Sequence, residues 1–166
     1  MPPHASERGQ GIVEFAVVFP IFALFIFVMI DGGLLMGRNN VVHHSAREGA
    51  RVAATGADED AIRDRVIDQS QGLLSDAAGC EAVADDDADM ICVQWLDVFD
   101  DAAGDLREAG QVGSAIRVRV RYKYDLLTPL PPPLDQGFTV ESCALTRLER
   151  PNLGVPASLT APPGEC

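Results

Sequence analysis

Hydrophobic positions are concentrated in one long run near the N-terminus. Phe15 to Ile30 is sixteen consecutive residues without a charged or hydrogen-bonding side chain, preceded by Glu14 and followed by Asp31. At ~1.5 Å per helical residue this run covers about 24 Å, slightly less than a bilayer core of about 30 Å. Extending it from Ile12 to Met36 gives a full span that includes both acids. The pattern predicts a membrane anchor helix rather than a cleaved secretory signal or a buried core helix.

Beyond the apolar run, the pattern changes to that of an amphipathic helix. Mostly small residues recur at helical spacing on one face: Val42, Ala46, Gly49, Ala50 and Ala53. Small residues on one face permit the close approach of another backbone. Gly56 offers a helix stop. The sequence therefore predicts one nearly continuous helix from about Ile12 to Thr55, roughly 65 Å long, whose second half protrudes from the membrane.

The rest of the chain predicts one more helix and a few strands. Asp58 is a candidate N-cap, and the helix after it would bury Ile62, Val66, Leu73 and Leu74. Three segments have strand character: Met90–Leu96, Ser114–Tyr124 and Phe138–Leu145. The intervening segments are predicted to be irregular: the loop-like Asp97–Gly113, the stiff connector Pro129–Pro133 and the Pro- and Gly-rich tail from Pro151 to Cys166. These elements predict an α+β fold, in which a long N-terminal transmembrane helix is followed by a small antiparallel-sheet domain.

The strand Ser114–Tyr124 has the clearest alternation in the chain. One face is apolar or aromatic, and the other carries a basic row: Arg117, Arg119, Arg121 and Lys123. The sequence between Gly56 and Gly113 is strongly acidic. One hypothesis is that the basic row of one subunit meets the acidic loops of another, which predicts salt-sensitive assembly.

The beginning of the chain resembles a known family. Gly9 is followed by four residues and then by Glu14-Phe15, which is the spacing of a tight-adherence prepilin leader. Further on, Ser45-Ala46-Arg47-Glu48-Gly49-Ala50-Arg51 resembles the juxtamembrane signature of TadE-like pilus assembly proteins, or pseudopilins. The resemblance covers roughly the first third of the chain.

The resemblance implies four regions and a processing event. The regions are a prepilin leader (1–9), a transmembrane helix (10–37), a juxtamembrane amphipathic helix (38–56) and an extracytoplasmic α+β domain (57–166). A prepilin peptidase would cut between Gly9 and Gln10. Glu14 and Phe15 would then act in assembly, with the new amino terminus at Gln10 as the partner of the Glu14 carboxylate.

The implied function is that of a minor pilin or pseudopilin with a structural role in a tight-adherence (Flp-type, type IV-like) pilus or secretion system. Its partners would be the membrane, the prepilin peptidase, other pilins or pseudopilins and the pilus assembly platform. The protein would cross the bacterial cytoplasmic membrane once. Basic residues do not favour that orientation, since only Arg8 precedes the helix whereas Arg38, Arg47 and Arg51 follow it.

Net charge and cysteine placement limit the remaining alternatives. The formal charge of −12 argues against nucleic acid as a partner. All four cysteines follow the apolar run, which is typical of an oxidising exterior. They permit three pairings, of which Cys80 with Cys92 and Cys143 with Cys166 is preferred.

Two acidic clusters invite a calcium hypothesis, although they do not fit a twelve-residue calcium loop. Their members are Asp85, Asp86, Asp87, Asp89, Asp97, Asp100, Asp101 and Asp105. The interpretation as solvated surface is preferred, and no metal or cofactor is predicted. The alternative function is an uncleaved, membrane-anchored binding module that uses these acidic loops.

Enzymatic interpretations are weaker still. The chain contains no GxSxG, P-loop, HExxH or CxxC motif. His44 and Glu48 share a helical face, but no third ligand is visible, so a solvated His43-His44 pair is favoured over a metal site. An anchored hydrolase is thus the third alternative, and the chain is predicted not to be an enzyme.

Overall fold

The architecture is a long N-terminal helix that continues directly into a small α+β domain. A computed structural model describes residues 7–84, 88–100, 105–128, 136–152 and 160–161. The helical elements are α1 (Glu7–Ala54), α2 (Glu59–Gln69) and a 3-10 helix (Cys80–Ala84). The strands are β1 (Met90–Leu96), β2 (Val98–Asp100), β3 (Asp105–Arg107), β4 (Ala115–Tyr124), β5 (Phe138–Arg147) and β6 (Thr160–Ala161).

Helix α1 has 48 residues and continues through Pro20. At ~1.5 Å per residue it is roughly 72 Å long. It ends where predicted: Gly56 has a φ of 81°, and its N–H donates to the carbonyl of Ala53 at 3.0 Å. The left-handed conformation favours glycine and stops the helix there.

Helix α2 begins as predicted but ends earlier. The Asp58 carboxylate accepts a hydrogen bond from the Ala61 N–H at 2.9 Å and caps the helix. The predicted helix extended to Leu74, whereas the observed one stops at Gln69. Positive φ angles at Gln71 and Gly72 turn the chain. Leu74 nevertheless reaches the core from the turn.

The sheet confirms the three predicted strands. Its order is β5-β4-β1-β6, with β4 antiparallel to both β1 and β5. In the β4–β5 register, Tyr124 lies opposite Phe138 at one end and Ala115 lies opposite Arg147 at the other. The short strand β6 adds to β1 in parallel at Trp95 and Leu96.

Two segments predicted to be irregular contain strands. Residues 98–107 of the loop-like segment include the antiparallel pair β2–β3, and the tail contributes β6. Strands of two or three residues are too short to show an alternating side-chain pattern, so their backbone pairing leaves no signal in the sequence. The connector Pro129–Pro133 lies outside the described residues.

The core lies between α1, α2 and one face of the sheet. The predicted face of α1 is confirmed, since Val42, Ala46 and Ala53 are fully buried. The main cluster also draws on α2 and on the three long strands: Ile62, Val66, Ile91, Val93, Trp95, Ile116, Val118 and Val120. The second half of α1 is therefore part of the domain.

Candidate functional site

The first half of α1 presents apolar side chains that none of the residues described by the structure covers. Its large apolar side chains from Ile12 to Ile30 are 41–71 % exposed. Among the described residues, α1 is the one helix long and apolar enough to cross a membrane. Twenty residues, Gly11 to Ile30, correspond to about 30 Å, the thickness of a bilayer core. The length and the exposure together fit a membrane anchor.

The residues predicted to act in processing and assembly lie at the start of this exposed surface. Gly9 and Gln10 both lie within α1, which begins at Glu7. Glu14 and Phe15 follow one turn later and are exposed. The Phe15 ring stacks on that of Phe19 with 5.3 Å between centroids. The structure thus places all four residues on one continuous helix, and their predicted roles stay predictions.

A buried carboxylate lies at the C-terminal end of the apolar run. Asp31 is 4 % exposed, although it directly follows the apolar run. Its Oδ1 accepts hydrogen bonds from the Tyr124 hydroxyl and the Leu127 N–H, each at 3.0 Å. Its Oδ2 accepts from the Thr128 N–H at 3.0 Å and from the Thr128 hydroxyl. Four donors around one carboxylate fix the domain to α1 at this level.

Sequence reasoning identified Asp31 as a boundary acid but missed its partners. The signal was its position: a carboxylate next to a membrane span needs compensation and therefore a partner. The donors lie 93 to 97 residues away in the chain, and no local pattern connects them. Glu14, at the other end of the apolar run, is likewise predicted to need a compensating partner. That partner would be the amino terminus at Gln10, which exists only after cleavage.

The juxtamembrane motif is a packing and ion-pair element in this structure. Ala46 and Ala50 are buried against the core. A Cβ at Gly49 would lie 2.5 Å from the Val66 Cγ2 of α2 and 3.3 Å from the Val118 Cγ1 of β4. Gly49 therefore allows α1 to approach α2 and the sheet more closely than any other residue could.

The charged members of the motif lie at the rim of this contact. Glu48 receives a bidentate pair from Arg51, at 3.0 and 2.8 Å. It also bonds Arg65 of α2 at 2.7 Å. Hydrogen bonds from the two guanidinium groups lower the pKa of Glu48 to about 2. Glu48 thus links α1 to α2, while Arg47 is exposed.

Acid is expected to weaken this link. Because the pKa of Glu48 is lowered on folding from 4.5 to about 2, its contribution to stability is fully present above about pH 4.5 and is lost as the pH falls towards 2. Glu48→Gln should therefore lower the thermal unfolding midpoint of the full chain in a non-ionic detergent at pH 7. At pH 2 the substitution should change the midpoint little. Glu149→Gln, at an exposed glutamate, is the control. An effect of Glu48→Gln that is the same at both pH values would contradict the ion-pair role.

The basic row of β4 is engaged within the chain. Arg117 donates to the Gln94 side chain at 2.8 Å. Arg119 and Arg121 both pair with Glu141 of β5, at 3.0 and 3.3 Å. Arg121 is also only 4 % exposed. The hypothesis that this row meets the acidic loops of another subunit is therefore wrong for Arg121, whose guanidinium is already enclosed.

The acidic clusters are only partly described. Asp85, Asp86, Asp87 and Asp101 lie outside the described residues. Asp89 accepts a hydrogen bond from the Lys123 N–H at 2.7 Å, and its pKa is raised by burial. Asp97 accepts from the Ala109 N–H at 2.7 Å. Among the residues that the structure describes, no group of three or more His, Cys, Asp or Glu could hold a metal ion.

The histidine pair is divided between two environments. The Nδ1 of His43 lies 2.7 Å from the Ser142 hydroxyl of β5, whereas His44 is exposed. His43 therefore joins α1 to the sheet, a contact that the sequence did not indicate.

One of the two preferred disulfides is present. Cys80 and Cys92 are bonded, which ties the 3-10 helix to β1. Closing a loop of this size contributes about 3 kcal/mol in the chain-entropy account. Cys143 lies on β5, but its predicted partner Cys166 lies outside the described residues, so that pairing stays a prediction.

Comparison with known proteins identifies the region around α1. The family model described as TadE-like protein matches residues 9–51. No curated protein and no solved structure matches the chain. The matched segment contains the exposed apolar surface, the Asp31 attachment and the close packing at Gly49. Over residues 9–51, this chain is therefore similar to the TadE-like family.

Proposed function

We propose that this protein is a minor pilin or pseudopilin of a tight-adherence pilus or secretion system, with a structural and non-catalytic role in pilus assembly. The observation that carries the proposal is the TadE-like match over residues 9–51, which coincides with the exposed apolar helix. A helix of this kind can be held in lipid or packed among similar helices. A subunit that passes from a membrane into a filament needs a helix that is stable in both surroundings, and an apolar surface meets this requirement.

The domain lies outside the cytoplasm in this proposal. The Cys80–Cys92 bridge supports an oxidising compartment for the domain. The arginines after the apolar run oppose this orientation by the positive-inside rule. One of them has another role, because Arg51 pairs with Glu48 of the same helix.

Processing is the sharpest test. The protein extracted from membranes of a host with prepilin peptidase should begin at Gln10 by N-terminal sequencing. In a host without the peptidase, the same chain should keep its leader. An intact start in both hosts would contradict the proposal and favour the uncleaved, membrane-anchored binding module.

The second test concerns Glu14. After cleavage the new amino group at Gln10 would lie one helical turn from the Glu14 carboxylate, on the same chain or on a neighbour. Glu14→Ala should therefore abolish or strongly reduce pilus assembly while leaving the amount of membrane-inserted protein unchanged. Val13→Ala, at the adjacent exposed position, is the matched control. If Glu14→Ala assembles as well as the control does, the assigned role is wrong.

A further inference from the structure

The domain carries exposed apolar side chains at the level where it is fixed to α1. Leu127 follows β4 and is 68 % exposed, and Phe138 begins β5 and is 53 % exposed. The Leu127 N–H is itself bonded to Asp31. Phe138 lies opposite Tyr124, whose hydroxyl is bonded to the same carboxylate. Both side chains therefore lie beside the end of the apolar run.

Beyond Asp31, helix α1 still carries apolar side chains on the side that the domain does not cover. Leu34 and Met36 are 41 % and 69 % exposed. Met36 also lines a groove of about 390 Å³ between α1 and the start of β5, together with Gly32, Leu35, Asn39, Phe138, Thr139 and Val140. The exposed apolar surface of α1 is thus continuous with that of the domain.

The lengths agree with the layers of a bilayer. Gly11 to Ile30 spans about 30 Å, which matches the hydrocarbon core. The total thickness of about 40–45 Å leaves about 5–8 Å for the headgroup layer on each side of the core, and residues 31–36 cover about 9 Å beyond Ile30. Residues 31–36 therefore fall in the interfacial layer, and Arg38-Asn39-Asn40 is the first polar run after it.

We propose that the domain rests on the membrane through an apolar collar formed by Leu34, Met36, Leu127 and Phe138, which enters the interfacial region of the lipid. The inference rests on the membrane anchorage in the proposed function. Continuity with the apolar surface of α1 selects lipid as the occupant, because a helix that fills the core brings the collar to the interface. Exposed apolar side chains at this depth are stabilised by burial about 5–10 Å into the boundary between headgroups and acyl chains.

The collar explains how a carboxylate can lie next to a membrane span. Asp31 is enclosed by Tyr124, Leu127 and Thr128 rather than by lipid. Two collar residues adjoin this enclosure, since the Leu127 N–H is one of the donors and Phe138 lies opposite Tyr124. The hydrogen bonds to Asp31 and the apolar collar together fix how close the domain lies to the membrane.

Quenching by brominated lipids tests the collar in the full chain. Each variant adds one tryptophan, and the emission of the buried Trp95 is subtracted with the parent protein. The protein is reconstituted at one copy per lipid nanodisc, with bromine placed on the acyl chains near the headgroups. Near-UV circular dichroism verifies the fold of each variant.

Phe138→Trp and Leu127→Trp should each be quenched roughly twofold or more, as expected for a side chain at the headgroup boundary. Phe22→Trp reports on the span itself. Leu145→Trp is the matched control, because Leu145 is 54 % exposed on the same strand but lies seven residues, about 23 Å, further along β5. It should show no quenching.

Each contrary result has a distinct meaning. Quenching at Phe22 without quenching at Phe138 and Leu127 overturns the collar and leaves the anchorage intact. Equal quenching at Leu145 also overturns it, because the domain would then adsorb without orientation. Blue-shifted but unquenched emission at Phe138 in nanodiscs that hold two copies indicates a second copy as the occupant and overturns lipid contact. No quenching at Phe22 removes the anchorage and the collar together.

Discussion

Asp31→Ala is expected to lower the thermal unfolding midpoint of the domain by about 15 °C, measured on the full chain in detergent by near-UV circular dichroism. The substitution leaves the Tyr124 hydroxyl and the Thr128 N–H buried without their acceptor. Each unsatisfied buried donor costs about 1–3 kcal/mol, so a total loss of roughly 3 kcal/mol is expected. For a domain of this size each kcal/mol shifts the midpoint by about 4–8 °C.

Asp31→Asn separates the acceptor role from the charge. Its single oxygen can still accept from Tyr124 and Leu127, but its amide group would face the Thr128 N–H. The expected midpoint therefore lies between those of the parent and of Asp31→Ala. Asp125→Ala, at a nearby exposed acid, is the control and should have little effect. An unchanged midpoint for Asp31→Ala would show that the carboxylate does not hold the domain to α1.

Gly49→Leu is expected to destabilise the domain by about 3 kcal/mol or more, because even a Cβ at this position would lie 2.5 Å from Val66. Overpacking of a well-packed core typically costs 1–3 kcal/mol, and a leucine adds three further carbons. The matched control is Gly37→Leu on the same helix, where a Cβ would meet nothing within 4 Å. Chemical unfolding of the full chain in detergent measures both. Equal effects at the two positions would contradict the close packing.

A double-mutant cycle tests the contact itself. Gly49→Ala gains about 1 kcal/mol of helix propensity, which offsets part of the clash with Val66. Val66→Ala removes the clashing methyl groups, so it should cost less in the Gly49→Ala background than in the parent. A coupling energy of about 0.5–3 kcal/mol is typical of residues in contact. Additive effects would indicate that the clash is relieved elsewhere.

Elements with a strong local period were predictable from the sequence. The face of α1 around Val42 and Ala46 repeats with the helical period, and the alternation of β4 is that of a strand with one buried face. Both predictions are confirmed, because burial of one face imposes its period on the side chains. The cap at Asp58 and the stop at Gly56 are likewise local, so they too could be recognised.

The features that attach the helix to the domain could not be predicted, because they depend on residues distant in the chain. Nothing near Asp31 indicates that Tyr124 and Thr128 supply its donors. The same holds for His43, whose contact with Ser142 follows from the packing of α1 on β5. Arg121 was misjudged for a related reason: strand alternation assigns it to the outer face of β4 but does not reveal that Glu141 encloses it there.

The juxtamembrane motif gains a physical explanation. The resemblance of the motif to a family signature gave no mechanism, and its small-residue face predicted the close approach of another backbone. In the structure, α2 and β4 of the same chain approach α1 at Gly49, and Glu48 pairs with Arg65 of α2. Arg47 and Arg51 are the exposed charged side chains of the motif, and Arg51 is paired with Glu48 of the same helix.

The spacing between Asp31 and its donors also has a consequence for biosynthesis. The ribosome completes Tyr124 and Thr128 only 93 to 97 residues after Asp31, which corresponds to about 5–20 s at a synthesis rate of about 5–20 residues per second. During this interval the apolar segment is already available for insertion, while its terminal carboxylate must be solvated by water or headgroups. The nascent helix is therefore expected to lie first with Asp31 further out in the aqueous or headgroup layer. It reaches its final position in the membrane only when β4 and the residues after it fold onto α1.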